Sequence, residues 1–259
     1  MIGDDITEEE RAEYLESLLP TKKIGLLFPP MNNFKGLTEA IWTAKSRHDL
    51  QVYIWPQWFE QVTLAKAWND GAKAAFADRC DYVVVCNDDI LFSPDTIDAM
   101  IDVYELEHKA HRVAMVTPNN IKLQLLNPYD IRDYVRPNDP YTYSEHPNFS
   151  CFLIAPDFFD LLGTFDENFR PAWYEDNDMH RRATLLGYKL IMTTAAPHVH
   201  IGGVSTSMIP EVVHSDNSKE YYIRKWGGVP YSHPDGPQKE YFLTPFNDPN
   251  LTPKDWSLQ

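Results

Sequence analysis

Short apolar runs alternate with stretches of helical period along the first half of the chain. Ile24 to Phe28 lies between Lys22-Lys23 and Pro29-Pro30. A continuous apolar run of this length is the pattern of a strand covered on both faces, as in a parallel sheet. Residues 37–47 have helical spacing, and Val52 to Trp55 reads as a second strand. Leu64, Trp68, Ala72, Ala75 and Phe76 fall on one face of a helix over 62–77. Tyr82 to Cys86 is a third strand that runs straight into Asn87-Asp88-Asp89. Ser93-Pro94 has the form of a helix start, a side-chain cap followed by proline at the first helical position. Ile97, Met100, Ile101 and Tyr104 then form that helix's inner face, and Val113 to Val116 is a fourth strand. Strand–helix alternation with short connections predicts an α/β sheet with helices on both faces. Ligands of such sheets sit outside the carboxyl ends of the strands.

The flanks and the second half are less regular. Thr7 with Glu10 has capping-box spacing, and an apolar stripe follows, so a helix is expected over 8–19 with Pro20 ending it. Residues 118–148 break the pattern, being rich in Pro, Asn, Asp and Tyr. A long irregular stretch inside a domain usually carries function, and an acceptor-side lid is expected here. Phe149 to Ala155 reads as a strand, and Pro156 to Leu162 as a short helix closed by Gly163. A helix over 175–186 closed by Gly187 and a strand over 188–194 follow. Last comes a helix over 216–226, capped by Ser215 and ended by Gly227-Gly228. The Pro- and aromatic-rich tail, 229–259, is expected to wrap over the surface or over a neighbouring subunit, which leaves room for a homo-oligomer.

Composition narrows the class. Hydrophobic residues are 43% and charged residues 24% of 259, an ordinary globular balance that excludes a disordered chain. No run approaches the roughly 18 apolar residues of a membrane span. Met1 to Glu10 lacks the basic and apolar regions of a signal peptide, so a soluble protein of the bacterial or virus-infected host cytoplasm is expected. The net charge of −15 disfavours general attraction to nucleic acid or anionic membrane, although a local basic groove remains compatible with it. Three cysteines with no CxxC spacing read as buried thiols in a reducing compartment.

Three polar clusters carry candidate chemistry. Asn87-Asp88-Asp89 puts hard oxygen ligands at the carboxyl end of a buried strand, where Mg²⁺ or Mn²⁺ could hold a diphosphate. A solvated acidic turn would look the same. Glu175-Asp176-Asn177-Asp178 opens a helix, where acidic residues favour the dipole. The same carboxylates facing a cleft could act as a general base. His198-Val199-His200 places two rings on one face of an extended segment, suited to a metal or simply to packing. Arg181-Arg182 and Arg224-Lys225 read as phosphate contacts or as surface pairs.

Taken in order, these pieces resemble a known family. Asn69-Asp70-Gly71 with Ala74 precedes the third strand, and Tyr82 to Asp89 is a strand ending in an Asp-x-Asp-like motif. Gly163-Thr-Phe-Asp-Glu-Asn-Phe169 is followed by Glu175-Asp176-x-Asp178, then by His200 to Ser205 and by Tyr221-Tyr222 with Lys225 to Gly228. Over about residues 22–228 the chain resembles GT-A-fold glycosyltransferases, family 2 above all. The resemblance implies a nucleotide-sugar-binding half over 22–117 and an acceptor and catalytic half over 118–228, with an N-terminal helix over 1–21 and a tail over 229–259 outside them. It implies an inverting transferase using Mn²⁺ or Mg²⁺ and a nucleotide-sugar, a UDP-sugar being favoured. Asp89 would be the main metal ligand and His200 a further metal or diphosphate contact. Asp176 would be the general base, and Glu175 beside it would bind sugar. Pro29, Asn69, Asn87, Asp88, Arg224 and Lys225 would contact the donor.

Some positions depart from the family. Asn87 stands where the first acid of Asp-x-Asp is usual, Trp55-Pro56-Gln57-Trp58 replaces an acidic residue near the donor base, and Pro29 to Asn33 replaces the usual end of the first strand. A saccharide is the expected acceptor. A hydroxylated DNA base or a protein is the alternative, with Lys122, Arg132, Arg136, Arg181 and Arg182 as a local DNA groove. A sugar nucleotidyltransferase would need a Gly-rich basic loop after the first strand, which Phe28 to Asn32 is not. A non-catalytic carbohydrate- or nucleotide-binding module on the same fold is the rival of another class.

Overall fold

A computed structural model of the chain describes residues 7, 21–56, 62–135, 141–203 and 215–228. In chain order the elements are β1 (Lys23–Phe28), α1 (Phe34–Thr43), β2 (Asp49–Ile54), α2 (Leu64–Ala77), β3 (Tyr82–Cys86), β4 (Ile90–Phe92) and α3 (Thr96–Ala110). There follow β5 (Val113–Asn120), two 3₁₀ turns (Lys122–Gln124 and Pro128–Asp133), β6 (Tyr143–Ser144), β7 (Cys151–Ile154), α4 (Phe158–Leu162), α5 (Glu175–Leu185), β8 (Lys189–His200) and α6 (Ser215–Trp226). The expected helix over 8–19 and the tail over 229–259 lie outside the described residues.

One eight-stranded sheet runs β2-β1-β3-β7-β5-β8-β4, with β6 beside β8. β1 pairs in parallel with β2 and β3, and β5 with β8. β7 enters antiparallel between β3 and β5, while β4 and β6 run antiparallel to β8. Five strands (β1, β2, β3, β5 and β8) therefore share one direction, so their carboxyl ends form one edge.

The apolar run of β1 has a direct physical reason. Successive strand residues face opposite sides. Ile24, Leu26 and Phe28 join a core with Leu37 and Ala40 of α1 and Ile97, Met100 and Ile101 of α3. Leu27 faces the other core, with Trp68, Ala72 and Ala75 of α2, Phe158 and Leu162 of α4 and Met179 of α5. Burying each large side chain contributes about 1.5–3 kcal/mol. Gly71 lets α2 sit close on β1, since a Cβ there would lie 2.3 Å from a Leu27 methyl.

Several boundaries differ from the sequence reading. α1 starts at Phe34, because the Asn33 Oδ1 accepts from the Gly36 N–H at 3.0 Å. It stops at Thr43, and Ser46 and Arg47 instead bond to Asp98. Ser93 does not cap α3 directly: its N–H donates to Thr96 Oγ1 at 2.9 Å, and the helix begins at Thr96. β5 and β8 run on to Asn120 and His200 because 119–120 pair with 197–198 across a register shift. The described part of the 118–148 stretch, 118–135 and 141–148, is correspondingly more regular than expected. It extends β5, forms both 3₁₀ turns, and buries Ile131 against Leu91, Ile121 and Val199. The three cysteines are free and buried, as expected. Among the described residues no helix is long and apolar enough to cross a membrane.

Candidate active site

β3 delivers Asn87-Asp88-Asp89 to the carboxyl edge of the sheet, and β8 delivers His200 to the same edge. β4 holds the two together through the antiparallel pair Ile90–His200. The Asp89 carbonyl accepts from Ile201 N, 2.9 Å, and its Oδ2 accepts from Gly202 N, 3.1 Å. Its Oδ1 then lies 3.1 Å from His200 Nε2. Asn87 Nδ2 is 3.5 Å from the same nitrogen, and Asn120 Oδ1 accepts from His200 N at 3.2 Å. Lys122 Nζ donates to the Ile201 carbonyl, which fixes the turn after β8.

The spacing of Asp89 and His200 fits a shared cation. Two ligands at about 2.1 Å and at right angles about an octahedral ion lie about 3.0 Å apart. Among the described residues no group of three or more His, Cys, Asp or Glu gathers for a metal. At this spacing the described residues offer one carboxylate oxygen and one imidazole. That partial set suits Mg²⁺ or Mn²⁺, which take remaining ligands from phosphate and water.

Asp88 turns the other way. Its Oδ2 accepts from Met31 N, 3.3 Å, and its carbonyl accepts from Asn33 Nδ2, 2.8 Å. The acidic motif is therefore stitched to the buried Pro29-Pro30 end of β1. Gly36 is required at this seam, because a Cβ would lie 2.3 Å from the Asp88 carbonyl oxygen and 2.1 Å from Asn33 Nδ2. Gly36→Ala is expected to cost about 1–3 kcal/mol, the usual range for overpacking, and to push α1 away from Asp88. Thermal unfolding together with a nucleotide titration checks this; an unchanged melting temperature would contradict the close approach.

The second acidic cluster reaches the same edge from the other core. α5 runs back along β8, so its first turn lies toward the carboxyl ends, and Leu64 N at the start of α2 donates to the Pro171 carbonyl at 3.1 Å. Trp173 and Tyr174 enter α5 with φ of 73° and 70°, left-handed values that cost a non-glycine residue roughly 1–3 kcal/mol each. Glu175 is 4% exposed, and among the described residues its Oε2 has no hydrogen-bond partner. Burial first, then the charges of Asp176 and Asp178, push its carboxyl well above the usual range. Asp176 is half-buried and also raised by burial, against the pull of the Asn177 N–H at 2.7 Å. Two neighbouring carboxyls with raised proton affinity mark a candidate functional cluster.

Other expected donor contacts lie elsewhere. Asn69 is fully buried and spends its amide on Phe165, with Oδ1 accepting from N at 2.9 Å and Nδ2 donating to O at 2.8 Å. Lys225 is 3% exposed and pairs with Asp166 at 2.6 Å and Asp178 at 2.9 Å. Both are interior fastenings rather than surface contacts. Arg224 is exposed, with its guanidinium over the Tyr221 ring at 5.2 Å. Of the residues expected to form a DNA groove, two are interior. Arg181 and Arg182 are 0% exposed, Arg132 lies over the Trp42 and Tyr129 rings, and Arg136 is outside the described residues. His198 is also interior, bonded through Nε2 to Ser150 Oγ at 3.0 Å, and burial lowers it to about 3. It is therefore a neutral packing group, not a second ligand beside His200.

No model of a known protein family matches the chain, and no curated protein matches it in sequence. Solved structures do match in fold. The catalytic domain of Drosophila β1,4-galactosyltransferase 7 in complex with xylobiose is 16% identical, with a TM-score of 0.51 over 75% of this chain and 76% of that one. A mutant of the same enzyme with manganese, UDP-Gal and xylobiose is 15% identical at a TM-score of 0.51, with the same coverage. GalNAc-T7 with UDP, GalNAc and Mn²⁺ is 11% identical, with a TM-score of 0.55 over 80% of this chain and 49% of that one. These likenesses establish the fold: the chain has the GT-A architecture.

Proposed function

We propose that the chain is a metal-dependent glycosyltransferase that moves a sugar from a nucleotide-sugar to an acceptor hydroxyl with inversion. The observation that carries this reading is the pairing of two unlike sites on one sheet edge. Asp89 Oδ1 and His200 Nε2 stand 3.1 Å apart on one side, and the buried Glu175 and half-buried Asp176 carboxyls open α5 on the other. Glycosyl transfer needs that division, an activated hydroxyl on one face of the anomeric carbon and a stabilised leaving diphosphate on the other. Asp89 and His200 would hold a divalent cation, whose charge would offset the one that grows on the leaving diphosphate. Asp176 takes the acceptor proton as the C–O bond forms, which its raised proton affinity favours. Glu175 supplies a buried oxygen to a sugar hydroxyl. Asp88 and Pro29 shape the wall toward the nucleoside, and Asn87 adds an amide donor where the Asp-x-Asp motif of the resembled family has a charge.

Uridine is the favoured nucleoside, because fold neighbours were solved with UDP or UDP-Gal. A saccharide acceptor has the same kind of support in xylobiose. A DNA acceptor loses its argument with the interior placement of Arg181 and Arg182. A non-catalytic module would have no use for a carboxyl oxygen at Glu175 that is held out of water and has no hydrogen-bond partner among the described residues.

Thermal unfolding with UDP, GDP, CMP and TDP, each with and without Mn²⁺, tests the donor site. A ligand at about 100 times its Kd adds ~2.7 kcal/mol, a rise of several degrees for a domain of this size. The expected result is a Mn²⁺-dependent rise with UDP that disappears in Asp89→Ala. A rise that survives Asp89→Ala, or none with any nucleotide, rejects the proposed site.

A further inference from the structure

We propose that Cys86 and Cys151 are a reversible redox modification site, closed to a disulfide by a peroxide-class oxidant, and that closing it weakens the donor site. The second half of this rests on the function proposed above; the first half does not. The two residues face each other across β3 and β7, and their Sγ atoms are 3.8 Å apart. Asn87 N donates to the Ser150 carbonyl at 2.8 Å, while Cys151 N turns to the Asn148 carbonyl. Cys86 and Cys151 are thus a non-hydrogen-bonded antiparallel pair, whose Cα atoms approach to about 4.5 Å. Disulfides span Cα separations of about 4.4–6.8 Å, so this pair can close without dismantling the sheet. Cys80 is the internal control, since it lies against the Tyr53 hydroxyl at 3.5 Å.

Both thiols are buried, and access comes from the edge of the ladder. β5 and β7 pair only at Met115–Ile154 and Val116–Leu153. Cys151 therefore begins β7 with a strand partner on the β3 side alone, at a corner that opens more easily than the ladder's middle. On oxidation each sulfur gives up its proton, an S–S bond forms, and the peroxide O–O bond takes the two electrons and both protons to leave two waters. Bridges favour Cα separations of about 5.5–6 Å, so closure from the usual spacing of such a pair would widen this end of the ladder by about 1–1.5 Å. The next pair along is Asn87 and Ser150, the step that leads into Asp88-Asp89 and His200.

The test is peroxide treatment of the whole protein, followed by denaturation, maleimide labelling and intact mass. The expected result is one labelled thiol, Cys80, with the loss of two hydrogens and a Cys86–Cys151 cross-linked peptide. Dithiothreitol should return all three thiols. The Mn²⁺-dependent affinity for UDP should fall at least severalfold on oxidation and recover on reduction. Cys151→Ala and Cys86→Ala should each bind UDP equally before and after peroxide, and Cys80→Ser should respond as the parent does. Three labelled thiols after peroxide, or a bridge to Cys80, would overturn the pairing. A bridge that leaves UDP affinity unchanged would overturn the coupling. Reduced protein that binds no UDP would instead overturn the donor site and the coupling with it, while the labelling still decides the pair.

Discussion

Asp176→Asn is expected to lower the rate of sugar transfer by about 10²–10⁴-fold, the usual worth of a positioned general base. The substitution keeps the side chain's shape and removes only its ability to take a proton. Mn²⁺-dependent UDP binding should stay as in the parent, because the proposed donor site is built from β3, β4 and β8. The pH profile carries the same argument. Burial raises the proton affinity of Asp176, and that of its neighbour Glu175 further. A base must be ionised to work, so activity should climb with pH through a limb above the ordinary carboxylate range. Stability should move oppositely. A carboxyl whose folded value is raised favours the fold while it is protonated, and that benefit is lost as pH rises through the folded value. Glu175→Gln should therefore be more stable than the parent at neutral pH and a poorer enzyme, the exchange expected where function holds a group in an unfavourable place. Full transfer activity in Asp176→Asn would remove the base from this residue.

Much of the fold was legible because it rests on local pattern. The runs at Ile24–Phe28 and Tyr82–Cys86 are apolar on both sides, and both sides are in fact core. Gly163 and Gly187 end α4 and α5 with positive φ, as their positions after an apolar period suggested. β4 was not legible: three residues carry no period, and Ile90 to Phe92 become a strand only because β8 continues to His200. The meeting of Asp89 and His200 at the carboxyl edge was legible in kind, since a motif after a strand must project at the edge. What separated His200 from His198, and Arg224 from Lys225, was not. Each pair is adjacent or nearly so in sequence, and only tertiary packing decides that His198 and Lys225 go inside. One signal was available. Asp178 and Arg182 stand four apart on α5, the spacing of an ion pair on one helix face.

That ion pair belongs to the interior fastening that holds α5, and breaking it should give the largest loss of stability. Asp178 accepts from Arg182 Nε at 3.0 Å and from Trp226 Nε1 at 2.8 Å, and lies 2.9 Å from Lys225 Nζ. Asp166 accepts from the Tyr221 hydroxyl at 2.8 Å and from Lys225 at 2.6 Å. Arg182 Nη1 donates to the Leu162 and Thr164 carbonyls at 2.7 and 2.9 Å. α6 is thereby tied to the 163–169 loop and to α5 just below Glu175-Asp176. Lys225→Met would leave two buried carboxylates without their shared ammonium. Removing one partner of such a group costs about 3–5 kcal/mol, which lowers the melting temperature by on the order of 10 °C in a domain of this size. Adding Asp166→Asn should recover part of the loss, since it removes one stranded charge. The pH dependence has its own sign. Burial alone would raise Asp166, but the Lys225 ammonium and the Asn168 and Tyr221 donors outweigh it and hold the carboxyl below its usual range. Its contribution is therefore full above the unfolded value of about 4 and is lost as pH falls through the lower folded one. The same variant separates an interior role from a donor contact. If Lys225 touched diphosphate, Lys225→Met would weaken UDP binding even well below its melting temperature. The buried pairing predicts near-parental UDP affinity in the cold and early unfolding on heating.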